Sequence, residues 1–197
     1  MSIQQTLQKW IPDSNKSKIS IFDFDNTLFN SHKREEGEIK YFEETGKPWP
    51  FEGWYGRIET LQPPLIPNPI PESFWIQKTL NSFREDKEDS DVLTVLMTGR
   101  PYKIRHRIQE ILKSQELIFD REIYRGMKGQ KGKDTIDIKI HSIETEILNP
   151  QSKFLKIYED RQEHLSIFMT AAKRWKNKFN LEKITIFDVT NDLDYNF

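Results

Sequence analysis

The chain has 197 residues, 31% of them charged, with a formal net charge of −1. That length suits one domain of ordinary size with a sizeable core, and an aromatic content of 12% argues against disorder, which disfavours bulky rings. With no cysteine and only four scattered histidines, a disulfide framework, a thiolate zinc site and a cysteine nucleophile are excluded, so any metal must be held by oxygen.

In chain order, the opening "MSIQQTLQKWIPDSNKSK" has no apolar segment of signal-peptide type, and no run of 18 apolar residues follows anywhere. A cytoplasmic protein without a membrane span is the expectation. "KISIFDF" is short, β-branched and aromatic, and is expected to form a buried strand. Residues 30–72 then break the pattern, with seven of the ten prolines and with Trp49 and Trp54. Proline fixes φ and removes a donor, so this stretch is expected to be an irregular, cap-like insertion anchored by its tryptophans, Trp75 included. Helical patterns follow over Glu72–Asp86, Tyr102–Gln115, Thr135–Leu148 and Arg161–Phe179. They alternate with the strand-like runs "VLTVLM", "ELIFDREIY", "KFLKIY" and "KITIFDV". Such alternation implies a parallel α/β sheet with right-handed crossovers, with helices on both faces and one domain over residues 1–197. Ligands bind outside the carboxyl ends of such strands. The segments "DFDNT", "TGR" and "EDR", each following a strand, therefore project onto one rim.

The first of these holds two carboxylates, Asp23 and Asp25, two positions apart. Two like charges about 4 Å apart repel by roughly 4 kcal/mol at an effective dielectric of 20. The pair persists only if a cation binds or one acid is protonated. Both states suit phosphoryl transfer, in which one carboxylate attacks phosphorus and the other moves a proton.

"FDFDNTLF" resembles the hhhDxDx[TV] signature of the haloacid dehalogenase (HAD) superfamily phosphatases, and Thr98 in "VLMTGR" and Glu159 and Asp160 in "KIYEDR" match its later motifs. "TGR", "DTIDIK", "YEDRQEHLSIF" and "GWYGR" are together similar to the HAD domain of Swiss Army Knife RNA repair-like proteins. The likeness covers about Ile19 to Phe168 and departs at Tyr55, where that group more often has a second tryptophan.

The resemblance implies a HAD-like Rossmannoid sheet of order 3-2-1-4-5 and a magnesium-dependent phosphomonoesterase. Asp23 would be nucleophile and metal ligand, and Asp25 the acid/base whose backbone carbonyl also meets the metal. Asp160 would supply the second metal carboxylate, with Glu159 reaching the ion through water or fixing a lysine. Thr98, Gly99, Arg100 and Asn26 would serve the phosphate, although Thr98 also suits a helix cap and Asn26 a local turn. The family lysine falls among Lys128, Lys131, Lys133 and Lys139. Lys139 flanks the helical stripe Ile136, Ile140, Ile143 and Ile147 and is preferred, with Lys133 second. His164 shares a helical face with Phe168, Ala172 and Trp175, which favours a structural role.

Lys103, Arg105, His106 and Arg107 offer a basic track, and Trp49, Trp54 or Tyr55 a base-stacking ring, which favours RNA or DNA ends as substrate. The rivals are a nucleotide or sugar phosphate, and a non-catalytic binding module on the same scaffold.

Overall fold

The computed structural model describes residues 16–128, 130 and 134–197. Five parallel strands, β1 (Lys18–Phe22), β2 (Val92–Pro101), β3 (Arg121–Arg125), β4 (Phe154–Glu159) and β5 (Lys183–Asp188), form one sheet that ends in the antiparallel β6 (Leu193–Asn196). The order is β3-β2-β1-β4-β5-β6. The five-strand order expected from the sequence holds, and β6 extends it. "LDYN" escaped notice because four mostly exposed residues carry no alternation strong enough to read.

Alternation along β1 sends Ile19 and Ile21 to one face and Phe22 to the other. On the first face lie α4 (Thr135–Ser142), continued by a π turn over Ile143–Ile147, and α5 (Gln162–Lys178). Ile143, Ile147, Leu165, Phe168 and Trp175 close that core layer. The other layer takes Leu80 and Phe83 from α2 (Gln77–Glu88), and Ile108 and Ile111 from α3 (Arg105–Lys113). β1 is therefore the central strand, with Phe22 in register with Leu96 and Tyr158. Whatever follows Phe22 emerges at the middle of the carboxyl rim.

The insertion is more regular than its prolines imply. It contains α1 (Arg34–Thr45), an exposed helix that ends at Gly46 in the left-handed region. A mean pattern with few apolar residues hid this helix, since only Gly37 in it is buried. Gly37 is required there: a Cβ would lie 2.1 Å from the Trp54 ring. Leu61, Leu65 and Ile66 are fully buried, Trp54 Nε1 donates to His32 O at 2.8 Å, and Arg107 Nε donates to Leu61 O at 2.8 Å. The insertion is thus packed on the sheet domain, with Leu61 and Ile66 joining the core layer of Phe22, Phe83 and Ile108. Among the described residues no helix is long and apolar enough to cross a membrane.

Candidate active site

Asp23 leaves β1 with its N–H still bonded to Tyr158 O at 3.1 Å. The chain then turns sharply. Leu28 and Phe29 both donate to Phe24 O, and Asn26, at φ 53, donates to Phe29 O at 2.7 Å. An asparagine tolerates that left-handed conformation better than most residues. The turn sets Asp23 and Asp25 along one cavity of about 160 Å³, which Gly99, Thr135, Lys139 and His164 also line. Tyr55, Arg125 and Arg161 complete its wall.

Lys139 arrives from α4, fully inside, and donates to Asp23 Oδ1 at 2.8 Å and to Glu159 Oε2 at 2.7 Å. Burial opposes its charge, yet the two carboxylates raise its pKa above the usual lysine value. Three acids compete for this one ammonium: Asp23, Glu159 and Asp160 bring oxygens within 4.8 Å of one another. Although burial pushes Glu159 up, Lys139 holds it well below the usual carboxylate range. Asp23 has the smaller share and is pushed up to about 6, mainly by burial and partly by Glu159 and Asp25. Asp160 has none, and burial, Asp23 and Glu159 push it up to about 8. Its Oδ1 is buried with no hydrogen-bond partner among the described residues. His164 Nδ1 lies 3.2 Å from Glu159 Oε2, outside hydrogen-bond geometry.

A model of HAD domain family 1 in Swiss Army Knife RNA repair proteins matches residues 52–196. The chain belongs to this family. No curated protein matches it. Among solved structures, one similar chain comes from the Pnkp1/Rnl/Hen1 RNA repair complex, at 18% identity and a TM-score of 0.48, covering 94% of this chain and 47% of that one. A second, from a Pnkp1/Rnl/Hen1 complex, has 17% identity and a TM-score of 0.49, covering 94% and 50%. The HAD-family chain thus spans about half the length of those chains.

Within this HAD domain, Asp23, Asp25, Gly99, Lys139, Glu159 and Asp160 converge, but three expectations are corrected. Arg100 does not face phosphate. Its Nε and Nη2 donate to Asp25, Nη1 donates to Thr60 Oγ1 at 2.6 Å and to Tyr55 O at 3.2 Å, and the side chain is buried below the cavity. Trp54 cannot stack on a base, because it is 5% exposed and packed on Gly37. Arg107 is tied to Leu61 O and Glu110 and Arg105 lies over the Tyr102 ring, both half-buried, so only Lys103 and His106 are exposed on the basic track. Thr98 is buried, its Oγ1 accepting the Arg100 N–H at 3.1 Å, and Asn26 sits in the turn. Gly99 admits α4, since a Cβ there would lie 2.8 Å from Thr135 Cγ2. Lys131 and Lys133 lie outside the described residues.

Ser31, Arg125 and Arg161 were not singled out from the sequence. Ser31 Oγ donates to Asp25 Oδ1 at 2.6 Å, from within the insertion where no spacing rule points to it. Arg161 directly follows the acidic pair, and that adjacency was the available signal. Arg125 has none, because only the β2–β3 register brings it to the rim.

Proposed function

We propose that the chain is a magnesium-dependent phosphomonoesterase that works through an aspartyl-phosphate on Asp23 and acts on the phosphorylated ends of nucleic acid, RNA above all. The observation that carries this reading is the uneven sharing of Lys139. One ammonium bonds two of the three clustered carboxylates, Asp23 and Glu159, and the third, the half-buried Asp160, keeps a buried Oδ1 with no partner among the described residues. Ionising an acid with a buried, unpartnered oxygen is costly, so Asp160 either keeps its proton or meets a cation, and a cation there serves phosphoryl transfer. The donors are all hard oxygens, which fits magnesium; Asp23, Asp160 and the Asp25 carbonyl would hold it, with Glu159 reaching it through water or fixing Lys139. When bound, the ion supplies charge neutralisation for the transferring phosphoryl group.

The residues divide the chemistry as follows. Lys139 occupies Asp23 Oδ1 and orients the carboxylate, which attacks phosphorus as the ester P–O bond breaks. Asp25 gives its proton to the leaving oxygen and takes one back from the water that cleaves the acyl phosphate, which releases phosphate and restores Asp23. Asp25 Oδ1 already accepts from Ser31 and from Arg100, whereas Oδ2 accepts only from Arg100 Nε at 2.9 Å. Proton transfer therefore runs through Oδ2, the oxygen with capacity to spare. Gly99 and Thr135 line the side of the cavity that receives the phosphoryl oxygens.

The substrate class rests on the family, which is one of RNA repair proteins, and on the shape of the site. A space of about 160 Å³ suits a phosphoryl group and leaves the rest of the substrate outside, beneath residues 30–72, which act as a small cap through Tyr55. The test is phosphate release from 3'-phosphate, 5'-phosphate and 2',3'-cyclic oligonucleotides, mononucleotides, sugar phosphates and p-nitrophenyl phosphate, with and without magnesium. Turnover highest on oligonucleotide ends supports the reading. Preference for free nucleotides or sugar phosphates selects a small-molecule phosphatase, and no turnover of any substrate selects a binding module.

A further inference from the structure

Arg125 is the last residue of β3, and the bulge in its pairing with β2 sets it opposite Pro101, beyond Arg100 and above the carboxyl rim. Its exposed side chain lines the mouth of the cavity, with Nη2 3.9 Å from where a Cβ on Gly56 would stand. A guanidinium beside so acidic a cavity would ordinarily be drawn into an ion pair. Arg125 makes none among the described residues. Two other cations of the site are committed, Lys139 to Asp23 and Glu159 and Arg100 to Asp25. Arg161, across the mouth, lies in the field of Asp23, Asp160 and Glu159, with its guanidinium 5.3 Å from the Tyr55 ring. The Tyr55 ring is also 5.1 Å from Arg100, whereas Arg125 stands beside the next residue, Gly56.

We propose that Arg125, above the Tyr55–Gly56 segment, forms a subsite for a second phosphate of the substrate, the internucleotide phosphodiester adjacent to the reacting terminal phosphate. The proposal rests on the reading of Asp23 as the phosphoryl acceptor, which fixes where the terminal phosphate lies. A planar guanidinium with no acceptor among the described residues matches two oxygens of a phosphodiester, and its place at the mouth is where the rest of the substrate must leave a cavity that holds one phosphoryl group. A nucleoside bisphosphate carries the same pair of phosphates. The strand is favoured because Pro101, opposite Arg125, is followed within five residues by the exposed Lys103 and His106.

The experiment compares kcat/KM for dinucleotides bearing a terminal 3'- or 5'-phosphate with the matching nucleoside monophosphates and the nucleoside 3',5'-bisphosphate, in the wild type, Arg125→Ala and Arg125→Lys. A charged hydrogen bond of this kind corresponds to about tenfold or more, so the wild type should prefer a dinucleotide over its monophosphate by that ratio. Arg125→Ala should bring the ratio to about one, and Arg125→Lys should restore part of it by charge without the fork. A wild-type ratio of one, or an unchanged ratio in Arg125→Ala, overturns the subsite. Bisphosphate turned over better than the dinucleotide overturns the strand as its source. Binding is measured separately, by anisotropy of a labelled phosphorylated dinucleotide on Asp23→Asn and on Asp23→Asn with Arg125→Ala. About tenfold weaker binding in the double variant supports the subsite even if no substrate is turned over, an outcome that removes the enzymatic reading alone. Equal affinities overturn the subsite.

Discussion

Arg100 grips Asp25 from below, Nη2 2.7 Å from Oδ1 and Nε 2.9 Å from Oδ2, and neither side chain meets solvent appreciably. The same guanidinium bonds Thr60 and the Tyr55 carbonyl, so the orientation of Asp25 depends on the seating of the insertion. Removing one partner of a buried ion pair typically costs about 3–5 kcal/mol. Arg100→Ala should therefore lower the melting temperature sharply. Arg100→Lys should keep more stability but lose the fork that aims Oδ2, slowing alkyl phosphates more than p-nitrophenyl phosphate, whose leaving group needs no proton. Equal slowing of both substrates would separate Arg100 from the proton transfer.

The acidic cluster makes the metal-free chain sensitive to pH. The folded pKa of Asp160, about 8, lies above its ordinary 3.8, and that of Asp23, about 6, does the same. The folded state then holds these protons where the unfolded one has lost them, and stability falls as pH rises from about 5 to 8, above the range in which Glu159, Glu144 and Asp120, held low by their cationic partners, act in the opposite sense. His32, whose pKa burial lowers, acts in the opposite sense below its ordinary 6.5. Comparison with Asp160→Asn isolates the cluster: that substitution should flatten the decline in melting temperature. Magnesium should flatten it too, by binding the ionised carboxylates. A wild-type profile that already rises over this range would contradict the assignment.

Trp54 acts on stability. It fills the space that Gly37 leaves and donates to His32 O, so Trp54→Ala should cost about 3–5 kcal/mol, as large buried aromatics do. Gly37→Ala should cost about 1–3 kcal/mol by overpacking against the same ring. Chemical denaturation measures both. Unchanged stability in Trp54→Ala, with weaker oligonucleotide binding, would return the indole to a base-stacking role.

What could be read from the sequence was whatever one period or one anchored motif carries. Ile19 and Ile21, the Ile143 and Ile147 stripe, and the acids after β1 and β4 were legible because burial imposes a pattern on each element separately. Lys139 stands apart from the other three lysines because it flanks that stripe. Arg100 was misassigned because a guanidinium after a phosphate motif looks the same whether it faces up or down, and only Thr60, 40 residues away, shows which. Arg125 depends on a register between strands, and Ser31 on the path of an irregular loop, neither of which has a local signature.

The central claim is that Asp23 becomes phosphorylated. Acid quenching of the wild-type chain during turnover of an oligonucleotide carrying a ³²P-labelled terminal phosphate, followed by peptide mapping, tests it directly. The label should appear on the peptide containing Asp23 and be absent in Asp23→Asn, which should also lose turnover. Label on another residue, or wild-type turnover in Asp23→Asn, would contradict the account.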